Sequence, residues 1–491
     1  KDVEILFKFY LKEFEILCKF RQKDFEILCI MTNFAPEKQR IMEHIFKRKI
    51  YDRMLEWKNS SHGETALLIQ GARRVGKSTI AEQFAKKEYD SYILIDFTQC
   101  SNETKELFND LSDLDFIFNR LQVSMGKQLS RRKSVIIFDE VQDCPKARQA
   151  IKHLVADGRY DYIETGSLIS IRQNVKNILI PSEEEEIKMY PMDYEEFRWA
   201  MGDTATMPLL GQFFEKQLPL TDAVNRKLMR DFRLYMLVGG MPQVVSKYLA
   251  TKSLLEADKV KRTIISLYDK DFMRLDPSGK ASMMFKAIPA QLNKNASRFQ
   301  MSSITGHGRA SRLSETISNM VESMVVNIAY HANDPGPGMA FHRDTSAFKL
   351  YMGDTGLFVT LAFWDKEFTD NIIYEKLLSD KLSKNLGYVY ENVVAQMLKA
   401  TGVELYYHTF PTEKGNHNYE IDFLLPDGDK VCPIEVKSSS YRTHASLDAF
   451  FQKYHAQIKR QFLIYTKDLR KDGMLTCIPM YMTHLLTSRK Q

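Results

Sequence analysis

Apolar runs of five residues recur between Ala66 and Phe197, each closed by a polar or glycine-bearing turn. They fall at 66–70, 92–96, 134–138 and 161–165, with helical stretches between them. Short continuous apolar runs suit strands covered on both faces, and strands alternating with helices make a parallel α/β sheet. Glu183 to Glu186 is an acidic run that reads as a solvated loop. From Asp193 to about Lys270 the pattern turns helical, and Gly239-Gly240-Met241-Pro242 should separate one helix from the next. Helical stretches then continue across a Thr305-Gly306-His307-Gly308 turn, followed by the strand-like Met324-Val325-Val326-Asn327-Ile328. That order suits a winged helix-turn-helix. The C-terminal third predicts a helix at 386–399, strands at 403–409, 418–425 and 431–437, a helix near 446–458 and a strand at 461–466.

The first strand runs into Gly71, Ala72, Arg73, Arg74, Val75, Gly76, Lys77, Ser78 and Thr79, the spelling G-x-x-x-x-G-K-[ST] of a phosphate-binding loop. Glycine at 71 and 76 permits backbone angles and approaches that a Cβ would block. Inward N–H groups and a helix N-terminus then favour an anion. Lys77 is expected on the β- and γ-phosphates of ATP, and the Ser78 hydroxyl on Mg²⁺. A strand before the loop and a helix after it raise the match above chance.

Ser134-Val135-Ile136-Ile137-Phe138 closes on Asp139-Glu140. Asp139 is expected to hold the Mg²⁺ shell with Ser78, and Glu140 to act as general base on the attacking water. Thr165 and Ser167, at the end of the 161–165 strand, are either polar sensors near the γ-phosphate or an ordinary Ser/Gly turn.

With 491 residues the chain should divide into several domains. Its 44% hydrophobic and 27% charged content is ordinary for globular protein, and no apolar stretch reaches the length of a membrane span. No secretory signal is evident. The six cysteines, at 18, 29, 100, 144, 432 and 477, form no C-x-x-C pair, which leaves zinc and redox motifs unsupported and suits a reducing cytoplasm. The N-terminus repeats Glu4-Ile5-Leu6-Phe7, Glu15-Ile16-Leu17-Cys18 and Glu26-Ile27-Leu28-Cys29 at a period of eleven. This is either a helix with a continuous apolar stripe or translated repetitive DNA ahead of a start at Met31. Residues 1–30 are assigned no chemistry.

Between Pro277 and Ser314 stand Lys280, Lys286, Lys294, Arg298, Arg309 and Arg312, with no Asp or Glu. An acid-free basic window on a winged helix is a footprint for DNA, although such domains also serve as packing modules. Further on, Glu435 and Lys437 share one strand face, and Asp422 lies on the preceding strand. In a metal-dependent phosphodiesterase, Asp422 and Glu435 would hold a second divalent metal while Lys437 stabilises developing charge. Glu391, on the 386–399 helix, would add a carboxylate. The alternative is a surface strand of alternating charge.

Together these motifs resemble a prokaryotic family of AAA+-superfamily ATPases whose C-terminal domain is related to PD-(D/E)xK nucleases. Further marks are the Tyr-Pro motif (residues 189–197), Gly239-Gly240-Met241-Pro242, Lys349-Leu350-Tyr351-Met352-Gly353-Asp354-Thr355-Gly356-Leu357, Glu420-Ile421-Asp422-Phe423 and Ile434-Glu435-Val436-Lys437. The resemblance implies an α/β fold: a P-loop parallel-sheet ATPase domain, a helical and winged-helix middle, and a restriction-endonuclease-like C-terminal domain. The boundaries expected are 1–30 for the repeat, 31–197 for the ATPase, 198–275 for a helical lid, 276–350 for the winged helix and 351–491 for the nuclease-like domain. Relatives often carry a Gly-Arg pair before the Tyr-Pro motif. Here that stretch is acidic, leaving Arg172, Arg230 and Arg233 as candidate arginine fingers. The expected partners are ATP, DNA and further copies of the chain, without a membrane. Two readings stand: an ATP-driven enzyme acting on nucleic acid, or a nucleotide-switched interaction protein with an inactive C-terminal recognition module.

Overall fold

Five parallel strands build the first sheet in a computed structural model that describes residues 45–167, 182–294, 296–301, 311–365, 371–379, 387–413, 415, 417–439 and 442–487. They are β1 (Ala66–Gly71), β2 (Ser91–Asp96), β3 (Ser134–Asp139), β4 (Asp161–Gly166) and β5 (Glu184–Met189), in spatial order β2-β3-β4-β1-β5. The first four coincide with the apolar runs to within a residue. β1, β3 and β4 are buried along their whole length. The N-terminal repeat lies outside the described residues.

β5 corrects the sequence reading. The acidic run is not a solvated loop: Glu184, Glu185 and Glu186 open an edge strand paired with β1. An edge strand tolerates charge on its open side, and Glu185 and Glu186 are exposed there. Glu184 instead turns toward Arg148 of the helix Pro145–Asp157, at 2.8 Å, and Arg148 also lies 3.8 Å from Glu164 on β4.

One buried guanidinium thus faces two carboxylates and neutralises only one. Burial, then the neighbouring Glu184 charge and hydrogen bond, raise the Glu164 carboxyl well above its ordinary value of 4.5. A carboxyl whose folded-state pKa lies above its unfolded value stabilises the fold most below the unfolded value, and that contribution is lost as pH rises toward the folded value. Glu164→Gln, which keeps the shape of the protonated form, should therefore remove a fall in stability that the parent shows from about pH 4.5 upward. Melting temperatures measured across that range in both proteins test this, and parallel profiles would refute it.

Beyond β5 a capping box, in which Asp193 and Glu196 exchange side-chain and backbone hydrogen bonds, starts the helix Tyr194–Ala200 (α1). Helices α2 (Asp222–Val238) and α3 (Pro242–Thr251) are separated at the expected break. Gly239 has φ +83°. A Cβ on Gly240 would stand 2.1 Å from the Met192 carbonyl oxygen. Met192 N–H donates to the Gly240 carbonyl at 2.7 Å, and Gly240 N–H to Asp354 Oδ2 at 2.5 Å. Asp354 also caps α4 (Thr355–Ala362) by accepting from Leu357 N–H at 2.8 Å. The glycine pair is therefore where three sequence-distant motifs meet.

Eight strands form the second sheet: β6 (Val326–Ala332), β7 (Arg343–Met352), β8 (Leu405–Pro411), β9 (Asn418–Asp427), β10 (Lys430–Lys437), β11 (Gln461–Tyr465), β12 (Arg470–Asp472) and β13 (Leu475–Pro479), in order β12-β13-β11-β10-β9-β8-β6-β7. Helix α5 (Gly387–Ala400) packs against it. Among the described residues two helices, Lys280–Asn293 and Ser311–Glu322, precede an antiparallel β6–β7 hairpin. The hairpin does not stand free, because β6 pairs in parallel with β8, Ala329 opposite Leu405. One sheet thus runs through the expected boundary at residue 350. The 305–308 turn and Arg309 lie outside the described residues, as does the side chain of Arg312. No helix among the described residues is long and apolar enough to cross a membrane.

Candidate functional site

The glycine-spaced loop joins β1 to the helix Lys77–Glu88. A Cβ on Gly71 would stand 2.4 Å from the Met189 carbonyl of β5, so the neighbouring strand demands glycine there. Gly76 has φ +101° and Arg74 φ +68°, left-handed positions that curl the loop. Lys77 is buried, and its Nζ donates to the Gly71 and Ala72 carbonyls at 3.0 and 3.2 Å. Burial, helped by the Arg73 charge, lowers the pKa of this ammonium, while Glu140 and Asp139 oppose the shift.

β4 lies between β1 and β3, which brings Thr165 against Asp139. The Thr165 hydroxyl donates to Asp139 Oδ1, and the Ser78 hydroxyl lies near enough to the same carboxylate to favour its charged form. Burial raises the Asp139 carboxyl, and the Thr165 and Ser78 hydroxyls oppose the shift. Glu140 sits in the left-handed region at φ +52°, its N–H donates to Thr165 Oγ1 at 3.3 Å, and its carboxylate accepts from Gln142 Nε2. Lys77, Ser78, Asp139, Glu140 and Thr165 therefore gather at one end of the sheet. Ser167 follows one residue after β4 ends.

Four residues here escaped sequence reading. Arg48 is buried, donates to the carbonyls of Val75 (3.1 Å) and Tyr190 (2.7 Å), and pairs with Glu196 at 3.1 Å, clamping the loop to the Tyr-Pro motif. From α6 (Leu254–Leu275), the Tyr268 hydroxyl donates to the Arg73 carbonyl at 2.7 Å, and Asp271 pairs with the Arg73 guanidinium at 3.2 Å. One turn further on, Arg274 offsets the upward push of burial and Glu140 on the Asp143 carboxyl, as Lys105 also does. No local signal could have tied α6 to the loop, from which it lies nearly 200 residues away. Of the candidate fingers, Arg233 donates to the Tyr390 hydroxyl of α5 at 3.2 Å, Arg230 is exposed, and Arg172 lies outside the described residues.

A second polar cluster lies on the eight-stranded sheet. Asp422 adjoins the paired residue Phe423 on β9, opposite the end of β10 where Glu435 and Lys437 stand. Asp422 Oδ2 accepts from Val436 N–H at 2.7 Å, and Lys437 pairs with Glu435 at 2.9 Å. Burial, then Glu391, Glu420 and Glu435, push the Asp422 carboxyl well up, with Lys349 opposing. The four expected residues are thus neighbours, but the second divalent metal is not supported. Among the described residues no group of three or more His, Cys, Asp or Glu is arranged to hold an ion. The Lys349 ammonium stands instead between Glu391 (3.1 Å) and Glu420 (2.5 Å), and the Tyr351 hydroxyl donates to Glu391. Lys349 and Glu420 belong to motifs that carry the resemblance, which implied no role for either.

Comparison with known proteins places an AAA domain at residues 63–198, followed by two domains of unknown function, DUF8612 at 229–367 and DUF4143 at 386–482. Among solved structures, a Walker-type ATPase of Pyrococcus abyssi is 17% identical with a TM-score of 0.40, over 65% of this chain and 96% of that one. A signal transduction ATPase with numerous domains, bearing a tetratricopeptide repeat sensor, from Pyrococcus horikoshii is 11% identical with a TM-score of 0.25, over 71% of this chain and 45% of that one. Cdc6p from Pyrobaculum aerophilum is 11% identical with a TM-score of 0.23, over 71% and 95%. No curated protein matches the sequence. The chain carries an AAA-type P-loop ATPase domain.

Proposed function

We propose that residues 71–79 bind ATP·Mg²⁺ and that the chain hydrolyses it. The observation carrying this reading is the gathering of the Asp139 carboxylate, held by the Thr165 hydroxyl, with Ser78 and Lys77 at the end of the glycine loop. A hydroxyl and a carboxylate side by side fit Mg²⁺, which takes hard oxygen ligands from one or two protein groups and fills the rest with phosphate and water. When bound, the ion supplies charge neutralisation on the transferred phosphoryl group. Lys77 would exchange its two loop carbonyls for phosphate oxygens, and Glu140 would orient and deprotonate the attacking water.

ATP with Mg²⁺ at a hundredfold excess over Kd should stabilise the folded chain by about 2.7 kcal/mol. Ser78→Ala should lose the part of that gain that disappears when EDTA replaces Mg²⁺. Thermal melting in the two buffers measures it, and a parent indifferent to ATP would overturn the proposal.

The contacts favour a nucleotide-switched reading of the work done. Tyr268 and Asp271 tie the loop to α6, and α6 packs on α4, whose cap Asp354 also holds the Gly240 junction. A change of Arg73 partner on ATP binding would thus be felt at the second sheet. Action on DNA is the second reading, supported by exposed Lys294 and Arg298. Lys286 contributes less, being paired with Asp269 at 2.7 Å. ATPase rates with and without DNA separate the two: stimulation favours nucleic acid, equal rates favour a protein partner.

A further inference from the structure

The carboxylate cluster of the second sheet holds Glu391, Glu420, Asp422 and Glu435, against the ammonium groups of Lys349 and Lys437. Lys437 is taken by Glu435. Lys349 is 6% exposed and bridges Glu391 on α5 and Glu420 on β9, with the Tyr407 ring 5.4 Å from its nitrogen. It comes from β7, within the segment matched at 229–367, whereas all four carboxylates lie in the segment matched at 386–482. The cation is therefore delivered from one family segment into the acidic pocket of the next.

We propose that Lys349 is the resident cation of this pocket and takes the place that a divalent metal would occupy, so that the C-terminal domain binds no catalytic metal. Two further observations support it. Tyr351, two residues along the same face of β7, donates to Glu391 and consumes a second acceptor position on that carboxylate. Asp422 is committed to the Val436 amide. The Lys349 ammonium is paired with both Glu391 and Glu420. An ammonium so paired also meets the rule that buried charge must be partnered. A divalent ion would have to displace it, leaving a buried, tethered cation beside a second one. The proposal is independent of ATP binding.

Mn²⁺ binding to the full chain, read by electron paramagnetic resonance without nucleotide, tests the idea. Every sample carries Asp139→Asn, so that an ion at the P-loop carboxylate is not counted. The chain with Lys349 intact should bind no more Mn²⁺ than its Asp422→Asn control. Lys349→Ala should gain one Mn²⁺, using the acceptors it frees, the second oxygen of Asp422 and the buried Glu435 oxygen that has no hydrogen bond, and adding Asp422→Asn should remove it. Lys349→Arg, which keeps the charge, should gain none. Mn²⁺ bound with Lys349 intact and lost in Asp422→Asn would overturn the proposal, and so would a folded Lys349→Ala that gains no ion. Should Lys349→Ala not fold, the comparison with Lys349 intact still decides.

Discussion

Glu140→Gln should cut ATP turnover by a hundredfold or more while ATP still binds, because a positioned general base contributes about 10²–10⁴-fold. Glutamine keeps the size of the side chain and a hydrogen bond to Gln142 but cannot accept the proton of the attacking water. The backbone at Glu140 is left-handed and anchored to Thr165, so the side chain leaves β3 in a fixed direction that substitution should not alter. Lys77→Ala should do the opposite and remove binding itself, since the phosphates lose the point charge of the loop. Steady-state phosphate release paired with a fluorescent ATP-analogue titration distinguishes the two phenotypes. Parent-like turnover by Glu140→Gln would show that another group activates the water.

Gly240→Ala is expected to have the largest effect on stability, about 3 kcal/mol or more, at the upper end of overpacking costs. A new Cβ would lie 2.1 Å from the Met192 carbonyl oxygen and 2.7 Å from its nitrogen. These are backbone atoms with no rotamer to retreat into. Relief would have to break the Met192–Gly240 hydrogen bond or pull Gly240 from Asp354, leaving one oxygen of that buried carboxylate without its donor. Chemical denaturation should show a lower midpoint at unchanged slope. Gly202→Ala, where nothing lies within 4 Å but φ is +88°, gives the cost of backbone strain alone. Equal losses in the two variants would remove the steric argument.

The P-loop end of the molecule was legible because its chemistry is written in consecutive residues. A loop that must cradle phosphate needs glycine at set spacings, and a buried strand ending in Asp139-Glu140 announces itself by contrast. β5 was not legible, because its polarity belongs to an edge and its explanation, Arg148, sits on a helix more than thirty residues earlier. Tyr268, Asp271 and Lys349 were invisible for the same reason: each acts on a partner far along the chain, and no period links them. In the C-terminal third the strand pattern and the neighbouring of Asp422 and Glu435 could be read from period-two alternation. That a lysine from a different segment fills the pocket could not.

The parallel pairing of β6 with β8 decides where this chain can be cut. A fragment beginning at residue 386 would include β8 but strip the flank on which Ala329, Tyr330 and His331 pair with Leu405, Tyr406 and Tyr407. An apolar strand with unpaired N–H and C=O groups recruits whatever edge is nearest, usually that of a second copy. The recombinant piece that keeps its own edge covered starts ahead of Val326 and carries the hairpin with it, although the family boundary at 386 invites the opposite choice.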